Sequence, residues 1–310
     1  MLSKKRIAII VFVVIALVLL LLCVRAYKTT GFLQHGSMDK KDLAFWHYGS
    51  DGVIPLAEGF SIRGSPESCW ILIHGFSSTP DELRQLAYAL NIEFNDTIYV
   101  PRLLGHGMKP SELDNYTTTD WYAQIEKVQS EKQCDYILGS SMGASLALKY
   151  AEEHKDLRGL VIVSTFQSPA GNSMSQEKRI ASFTRLTASW FHYLKKSEPG
   201  QTVLDPSTKK NHISTFSFPL KGTVELFDFN KPIQANLSKI SSPVLFIHST
   251  HDTVASYRAA RETFDSINSK KEFIDLTKGD HIVFRDYDRE KAISAILEFR
   301  QAQGASLEGS

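Results

Sequence analysis

The chain has 310 residues, of which 43% are hydrophobic and 22% charged, and its 35 lysines and arginines nearly balance its 34 aspartates and glutamates. This composition excludes a disordered acidic or basic chain, a collagen-like repeat and a protein that binds mainly to a nucleic-acid backbone. The three cysteines, Cys23, Cys69 and Cys134, are too few for a disulfide scaffold and lack the paired spacing of a zinc site. The sequence therefore predicts no structural metal.

In chain order, the first feature is an uncharged apolar stretch at residues 7–24, which predicts a single membrane-spanning helix. Basic residues at 4–6 precede it, and Arg25 and Lys28 follow, a bias that favours a cytoplasmic N-terminus and a body on the periplasmic or extracellular side. A cleaved signal peptide is the alternative, although its apolar region usually has only about 7–15 residues. Residues 1–28 are interpreted as a membrane anchor or uncleaved signal outside the fold.

Beyond residue 28, short apolar runs alternate with helical patterns. The runs predict buried strands at Trp70–Ile73, Thr97–Val100, Tyr136–Leu138, Leu160–Val163, Val244–Ile247 and Phe273–Leu276. The helices are predicted at Pro80–Leu90, Asp120–Glu131, Gly143–Glu153, Tyr257–Ile267 and Asp288–Arg300. Strands without polar alternation are buried on both faces, so the pattern predicts a doubly wound α/β fold around a parallel sheet.

Residues 165–240 interrupt this alternation, and such a length is too great for a bare loop in a compact domain. They are predicted to form an inserted subdomain between the first half of the core (29–164) and the second half with a C-terminal tail (241–310). The insert carries 10 basic and 5 acidic residues, a local charge of +5. One amphipathic helix is predicted there, with an apolar face made of Ile180, Phe183, Trp190, Phe191 and Leu194.

The motif Gly139-Ser140-Ser141-Met142-Gly143 lies between a predicted strand and a predicted helix. A nucleophilic serine must stand on a tight turn, and glycines two residues to either side remove the side chains that would clash there. Ser141 is therefore the candidate nucleophile. Ser140 is the alternative, but it is not flanked by glycines at this spacing.

Acyl transfer also needs backbone amides that stabilise an oxyanion, one from the residue after the nucleophile and one from a loop after an earlier strand. The loop His74-Gly75-Phe76 follows the strand that ends at Ile73. The predicted donors are the amides of Phe76 and Met142.

A serine needs a histidine to accept its proton and a carboxylate to orient that histidine. Asp252 and His281 follow the last two predicted strands, at the edge of the sheet where open α/β folds place their ligands. Asp280 is the alternative acid, but its position next to His281 in sequence makes the orienting geometry harder to reach. His248 and His251 have the spacing of a metal pair, yet they lie at a strand end, and we predict no metal there.

With these motifs in this order, residues from about Cys69 to Arg300 resemble a serine hydrolase of the α/β-hydrolase superfamily, most like its lid-containing carboxylesterase and monoacylglycerol lipase branch. Two further motifs support the resemblance, Gly105-His106-Gly107 and Asp120-Trp121. It implies an eight-stranded, mostly parallel sheet with its first two strands within 40–68, and a cap formed by the insert over an acyl pocket. Two departures are that no glycine precedes Asp252 in the usual way and that no motif in the cap identifies a substrate.

The resembled fold also makes neighbours of the strands that follow Cys69 and Cys134. A disulfide between them is possible if the body is external, but buried free thiols are the commoner outcome because cross-strand geometry in parallel sheets is strict.

The assigned roles predict a serine esterase or lipase that needs no cofactor and binds no nucleic acid. The apolar and basic insert and the membrane segment favour acyl esters near a lipid surface, such as monoacylglycerols or lysophospholipids. Two alternatives stay open: a membrane-tethered hydrolase fold without turnover, and a hydrolase of amide, thioester or carbon–carbon bonds.

Overall fold

The computed structural model describes residues 4–30, 33–34 and 39–308, with side chains for residues 5–6, 9–21 and 39–304. The strands are β1 Leu33–Gln34, β2 Phe60–Ile62, β3 Ser65–Ile73, β4 Asp96–Val100, β5 Tyr136–Ser140, β6 Gly159–Val163, β7 Tyr193–Lys195, β8 Ser217–Pro219, β9 Val244–Ser249 and β10 Lys271–Leu276. The α-helices are α1 Lys4–Thr30, α2 Asp39–Phe45, α3 Arg84–Phe94, α4 Pro110–Leu113, α5 Thr118–Lys132, α6 Met142–Glu153, α7 Met174–Ala188, α8 Pro206–Lys209, α9 Leu220–Asn236, α10 Tyr257–Asp265 and α11 Arg289–Glu308. Short 3₁₀ turns lie at Pro80–Leu83, Leu237–Lys239 and Val283–Arg285.

The main sheet of the described residues has seven strands in the order β10-β9-β6-β5-β3-β4-β2. All neighbours are parallel except β2 and β4. This confirms the predicted mostly parallel α/β sheet, and each of the six predicted strands lies within an observed one. Alternate side chains of a strand point to opposite faces, so Ile71 and Ile73 pack into one apolar core, and Trp70 and Leu72 into the other.

The expected count of eight strands is wrong for the described part of the chain, because residues 40–68 supply only β2 and the first residues of β3. Residues 39–45 form α2 instead, and residues 46–59 run as turns and loops. Two of these turn residues, Gly52 and Leu56, have positive φ, a conformation that interrupts extended backbone.

The insert differs from its predicted form. Helix α7 carries Ile180 and Phe183 but ends at Ala188, so Trp190 and Phe191 lie in a turn and Leu194 lies in β7. The chain turns there because β7 pairs with β8, and with β1 they form a small antiparallel sheet. The prediction that all five residues share one face of a single helix is therefore wrong, although α7 carries the first two.

Helix α1 covers the stretch in which the sequence predicts a membrane span. Among the described residues, no helix combines the length and the apolar character needed to cross a membrane. Residues 7, 8 and 22–24 of the predicted span, Cys23 among them, have side chains outside the described part. The described residues therefore do not support the predicted transmembrane helix.

Cys69 and Cys134 form a disulfide, with their Cα atoms 4.8 Å apart, so the preference for free thiols is wrong. Cys69 lies on β3, whereas Cys134 lies two residues before the neighbouring strand β5 begins. Because Cys134 is not yet held in the parallel ladder, its backbone can adopt a position that a regular parallel pair does not allow.

Candidate active site

Ser141 lies on the sharp turn between β5 and α6 with a positive φ of 55°. A side chain at Gly139 would place its Cβ 2.1 Å from the carbonyl oxygen of Gly143, and one at Gly143 would lie 2.2 Å from the carbonyl oxygen of Ile73. Both contacts are shorter than any real Cβ makes, so the turn requires glycine at each position. The Ser141 amide donates to the carbonyl of Val163, which ties the turn to β6.

Three side chains predicted from distant parts of the sequence meet at this turn. Nε2 of His281 lies 2.9 Å from Oγ of Ser141, and Nδ1 of His281 lies 2.8 Å from Oδ2 of Asp252. Asp252 follows β9 and His281 follows β10, so both loops leave the carboxyl edge of the sheet. The arrangement suits a proton relay in which the imidazole accepts the hydroxyl proton and the carboxylate holds the ring.

The Asp252 carboxylate is fully buried and fully occupied. Its Oδ1 accepts hydrogen bonds from the amides of Val254 and Ala255, and Nε2 of His248 lies 3.2 Å from its Oδ2. Burial alone would raise the pKa of Asp252, but the charge of His281 and the hydrogen bonds of both histidines outweigh burial and hold that pKa well below its usual range. Asp252 therefore stays ionised.

The ionised carboxylate acts in turn on His281. Burial lowers the pKa of His281, yet the charge and hydrogen bond of Asp252 outweigh it, so that the pKa stands above its ordinary value. A more basic imidazole is a better acceptor for the serine proton.

The alternative acid, Asp280, does not bond to the His281 ring. Its carboxylate accepts from the amide and the hydroxyl of Thr253, at 2.7 Å in each case. Asp280 thereby joins the loop that carries Asp252 to the loop that carries His281. The two histidines weighed as a metal pair are separated, since His248 is buried against Asp252 and His251 is exposed.

The loop after β3 lies directly against the serine. A Cβ at Gly75 would stand 3.1 Å from the Cβ of Ser141. Among the described residues, the backbone amides of Phe76 and Met142 have no hydrogen-bond acceptor, so both predicted donors are free for a ligand oxygen.

His74 holds this loop in place through both of its ring nitrogens. Its Nδ1 donates to the carbonyl of Gly75, and its Nε2 accepts from the amide of Leu103. Burial lowers the pKa of His74 to about 4, which keeps the ring neutral and able to play both parts.

Glu82 is a site residue that sequence reasoning missed. Its Oε1 accepts from the amide of Gly75 at 3.1 Å, and its Oε2 accepts from the hydroxyl of Ser78. It is buried in the 3₁₀ turn that follows the loop, and burial raises its pKa. In the sequence, Glu82 is an acidic residue eight positions after His74. An acidic residue is also common at the start of a helix, so its position alone did not assign it to the site.

Ser141 and His281 open into a cavity of about 450 Å³. One part of its wall is apolar and comes mostly from the insert; it includes Phe166, Phe183, Leu220, Leu226 and Val254. Another part is polar and includes Ser77, Lys196, Gln201, Thr202 and Ser214. The insert thus supplies much of the space in front of the nucleophile.

The sheet order, the turn at Ser141 and the loops that bring Asp252 and His281 to it define the α/β-hydrolase superfamily, to which the chain belongs. Residues 64–288 match the Hydrolase_4 family, described as serine aminopeptidase, S33, and the chain is a member of that family.

Known relatives agree with this placement. The thermostable monoacylglycerol lipase of Bacillus sp. (strain H-257) is 29% identical over 252 residues, which cover 80% of this chain and 95% of the lipase. A solved structure of the metagenome-derived lipolytic enzymes LipS and LipT has a TM-score of 0.71 at 23% identity and covers 81% of this chain and 99% of that one. The monoacylglycerol lipase of Paleococcus ferrophilus has a TM-score of 0.68 at 18% identity, covering 79% and 98%. These matches confirm the resemblance to the monoacylglycerol-lipase-like branch.

Proposed function

We propose that the chain is a serine esterase that hydrolyses monoacyl esters, monoacylglycerols foremost, through an acyl-enzyme. The observation that carries the proposal is the continuous hydrogen-bonded series Asp252, His281 and Ser141, which opens into a largely apolar cavity. The relatives that are named as monoacylglycerol lipases support the same substrate class.

In the proposed reaction, Oγ of Ser141 attacks the ester carbonyl while Nε2 of His281 accepts the hydroxyl proton. The amides of Phe76 and Met142 stabilise the oxyanion that forms. His281 then donates the proton to the departing alcohol, and afterwards takes one from a water molecule that attacks the acyl-enzyme. His281 returns this proton to Oγ of Ser141 as the bond between the serine and the acyl group breaks and the acid leaves. Asp252 holds the tautomer and the orientation of His281 throughout. The reaction needs no cofactor.

The family description raises peptide hydrolysis as a second candidate. An aminopeptidase must bind a free α-ammonium group, which calls for a carboxylate that faces the substrate. Glu82 lines the cavity, but both of its oxygens hold the loop of Gly75 and Ser78. Lys196 adds a cation to the same wall and would repel an ammonium group. The charges of the cavity therefore favour an ester over a peptide.

The test is hydrolysis of p-nitrophenyl esters from acetyl to palmitoyl, and of monoacylglycerols, by residues 29–310 and by the full chain in detergent. We expect Ser141→Ala and His281→Ala each to lower kcat by several orders of magnitude. Ser175→Ala, at an exposed position of α7, is the matched control and should leave the rate unchanged. A folded protein that hydrolyses no ester and is not labelled by a fluorophosphonate would overturn the proposal in favour of a hydrolase fold that binds without turnover.

We further propose that the enzyme is attached to the membrane and faces the non-cytoplasmic side. The uncharged sequence of residues 7–24 and the basic residues before it support this location, and the Cys69–Cys134 disulfide fits an oxidising compartment. Membrane fractionation with and without carbonate, together with protease access in intact cells, tests both parts. Recovery of the full chain in the soluble fraction would contradict the attachment.

A further inference from the structure

A lysine in the cavity wall has no ionic partner. Lys196 lines the cavity, and its Nζ donates to Oγ of Ser77 at 3.2 Å and to Oγ of Ser214 at 3.1 Å. Among the described residues it forms no ion pair with a carboxylate. Lys196 is half-buried; a cation withdrawn from water is unfavourable unless it is paired, and two hydroxyl groups compensate only part of that cost.

The charges of Asp42 and Glu82 act on Lys196 and raise its pKa, but neither carboxylate forms an ion pair with its Nζ. Asp42 uses Oδ1 to accept from the amide of Phe216, and burial raises its pKa to about 6. Glu82 is occupied by the loop of Gly75, and burial raises its pKa as well. Burial lowers the pKa of His212, which also lines the cavity, to about 3, so this ring is neutral. Lys196 itself has its pKa lowered by burial to about 8, and it is still mostly protonated at neutral pH.

The position of Lys196 relates it to the reaction. Its partner Ser77 directly follows Phe76, whose amide is a proposed oxyanion donor. The polar wall around Lys196 is joined by its own hydrogen bonds, since Ser214 also donates to the carbonyl of Pro199. The apolar wall comes mostly from α7 and α9, together with Phe166 and Val254, and offers space for an acyl chain. A cation close to the oxyanion loop and within a polar part of the wall suits the alcohol part of the ester.

Building on the proposed function, we propose that Lys196 is a substrate-binding residue that recognises an anionic group, a phosphate or a carboxylate, on the alcohol part of a monoacyl ester. The preferred substrates are then acylglycerol phosphates and related anionic lysolipids rather than neutral monoacylglycerols alone. The bound anion supplies the direct ion pair that no carboxylate of the described residues forms with Lys196, and it is placed beside the hydroxyls of Ser77 and Ser214.

The experiment compares kcat/KM for octanoylglycerol phosphate with that for neutral monooctanoylglycerol, both as monomers in solution. We expect Lys196→Met to lower the ratio of the phosphate ester to the neutral ester about 10- to 100-fold, the usual effect of losing a charged hydrogen bond. Lys196→Arg should restore most of the ratio. Lys195→Met, one residue earlier and outside the cavity wall, is the matched control and should leave the ratio unchanged.

The pH dependence sharpens the test. Lys196 carries its charge below a pKa of about 8, so the advantage of the phosphate ester over the neutral ester should hold below that pH and diminish above it. Inorganic phosphate added to the neutral-ester assay distinguishes the sources of the anion. Competitive inhibition by it in the wild type, absent in Lys196→Met, shows a site that binds the anion without the lipid.

The outcomes separate this inference from the proposed function. If the neutral ester is hydrolysed and the ratio is the same in Lys196→Met and the wild type, the anion site is overturned and the esterase stands. If Lys196→Met lowers kcat for both esters equally, the residue only positions the oxyanion loop, and the inference is again overturned. If no ester is hydrolysed and Ser141 is not labelled by a fluorophosphonate, the proposed function itself has failed.

Discussion

The sheet core and the insert of residues 165–240 present two kinds of surface to the same cavity. The core supplies the proposed reacting groups, which are held by buried contacts: Asp252 accepts from two amides and bonds to His281, and His248 lies 3.2 Å away. The insert supplies apolar and polar wall, and it leaves large side chains in solvent, with Phe183 65% and Trp190 71% exposed. In the proposed reaction, the chemistry therefore depends on a buried hydrogen-bond network, whereas the choice of substrate depends on a cavity wall that is partly open to solvent.

The insert is nevertheless attached to the core at defined points. Glu177 on α7 is buried, accepts from Ser256 at 2.6 Å and pairs with Arg258, both on the core side. Further along, Asp205 pairs with Arg289 at 2.6 Å. These contacts set the position of the cavity wall relative to the nucleophile. Substitutions in the core and in the insert should therefore differ in the size and the kind of their effects. The largest effects are expected in the core and the smallest in the insert.

The largest expected effect in the core comes from Asp252→Asn. Asparagine has a single acceptor oxygen, which cannot accept both from the amides of Val254 and Ala255 and from Nδ1 of His281, so the ring loses its tautomer and orientation. We expect kcat for p-nitrophenyl butyrate to fall by about four orders of magnitude. Asp280→Asn, which removes the charge of the alternative acid, should cost less than about tenfold. Equal losses in the two variants would contradict the assignment of Asp252.

The same variant should change the pH profile. His281 must be neutral to accept the serine proton, so activity is lost as the pH falls through its pKa, which Asp252 raises. Removing that charge lowers the pKa of His281, and the residual activity of Asp252→Asn should extend to lower pH than that of the wild type. An acid limb that does not move would show that another group controls it.

The sequence was sufficient for the parts of the core that depend on local pattern. Apolar runs indicated the six predicted strands. The glycines two residues to either side of Ser141 indicated a turn in which those two positions admit no side chain. Trp190 and Leu194 were misplaced because the end of α7 depends on pairing between β7 and β8, whose partners are far apart in sequence. Glu82 was missed for a similar reason, since its role depends on a 3₁₀ turn that returns it to Gly75.

Glu82 tests whether the core network extends beyond the three reacting residues. Glu82→Ala removes the acceptor for the Gly75 amide and frees the loop that carries the proposed oxyanion donor Phe76. We expect kcat to fall about 100-fold with little change in KM, the effect of impaired oxyanion stabilisation. Glu82→Gln keeps an oxygen for that amide and should recover most of the rate. If Glu82→Ala changes only the melting temperature, its role is structural.

The disulfide should affect the stability of the core and leave its chemistry unchanged. It joins residues 65 apart, and removal by the pair Cys69→Ser and Cys134→Ser should lower the free energy of unfolding by about 2–4 kcal/mol. The candidate site lies at the carboxyl ends of β3 and β5, whereas Cys69 and Cys134 lie before those ends. Because the disulfide is separate from the site, kcat for p-nitrophenyl butyrate should stay within about twofold of the wild-type value. Urea denaturation measures the first effect, and an unchanged midpoint would contradict it.

The smallest expected effect is in the insert, and two tryptophans allow a matched comparison. In the core, Trp121 is fully buried, donates from its indole nitrogen to the carbonyl of Leu104 at 2.8 Å and packs edge-on against His106. Trp121→Ala leaves a large cavity and should lower the free energy of unfolding by about 3–5 kcal/mol.

Trp190 in the insert lies in solvent and does not line the cavity in front of Ser141, so Trp190→Ala should change the free energy of unfolding by less than about 0.5 kcal/mol. Hydrolysis of a soluble butyrate ester should also stay within about twofold in Trp190→Ala. A comparable loss of stability in both variants would mean that the insert is packed as tightly as the core, and the distinction between a buried catalytic network and a partly open cavity wall would fail.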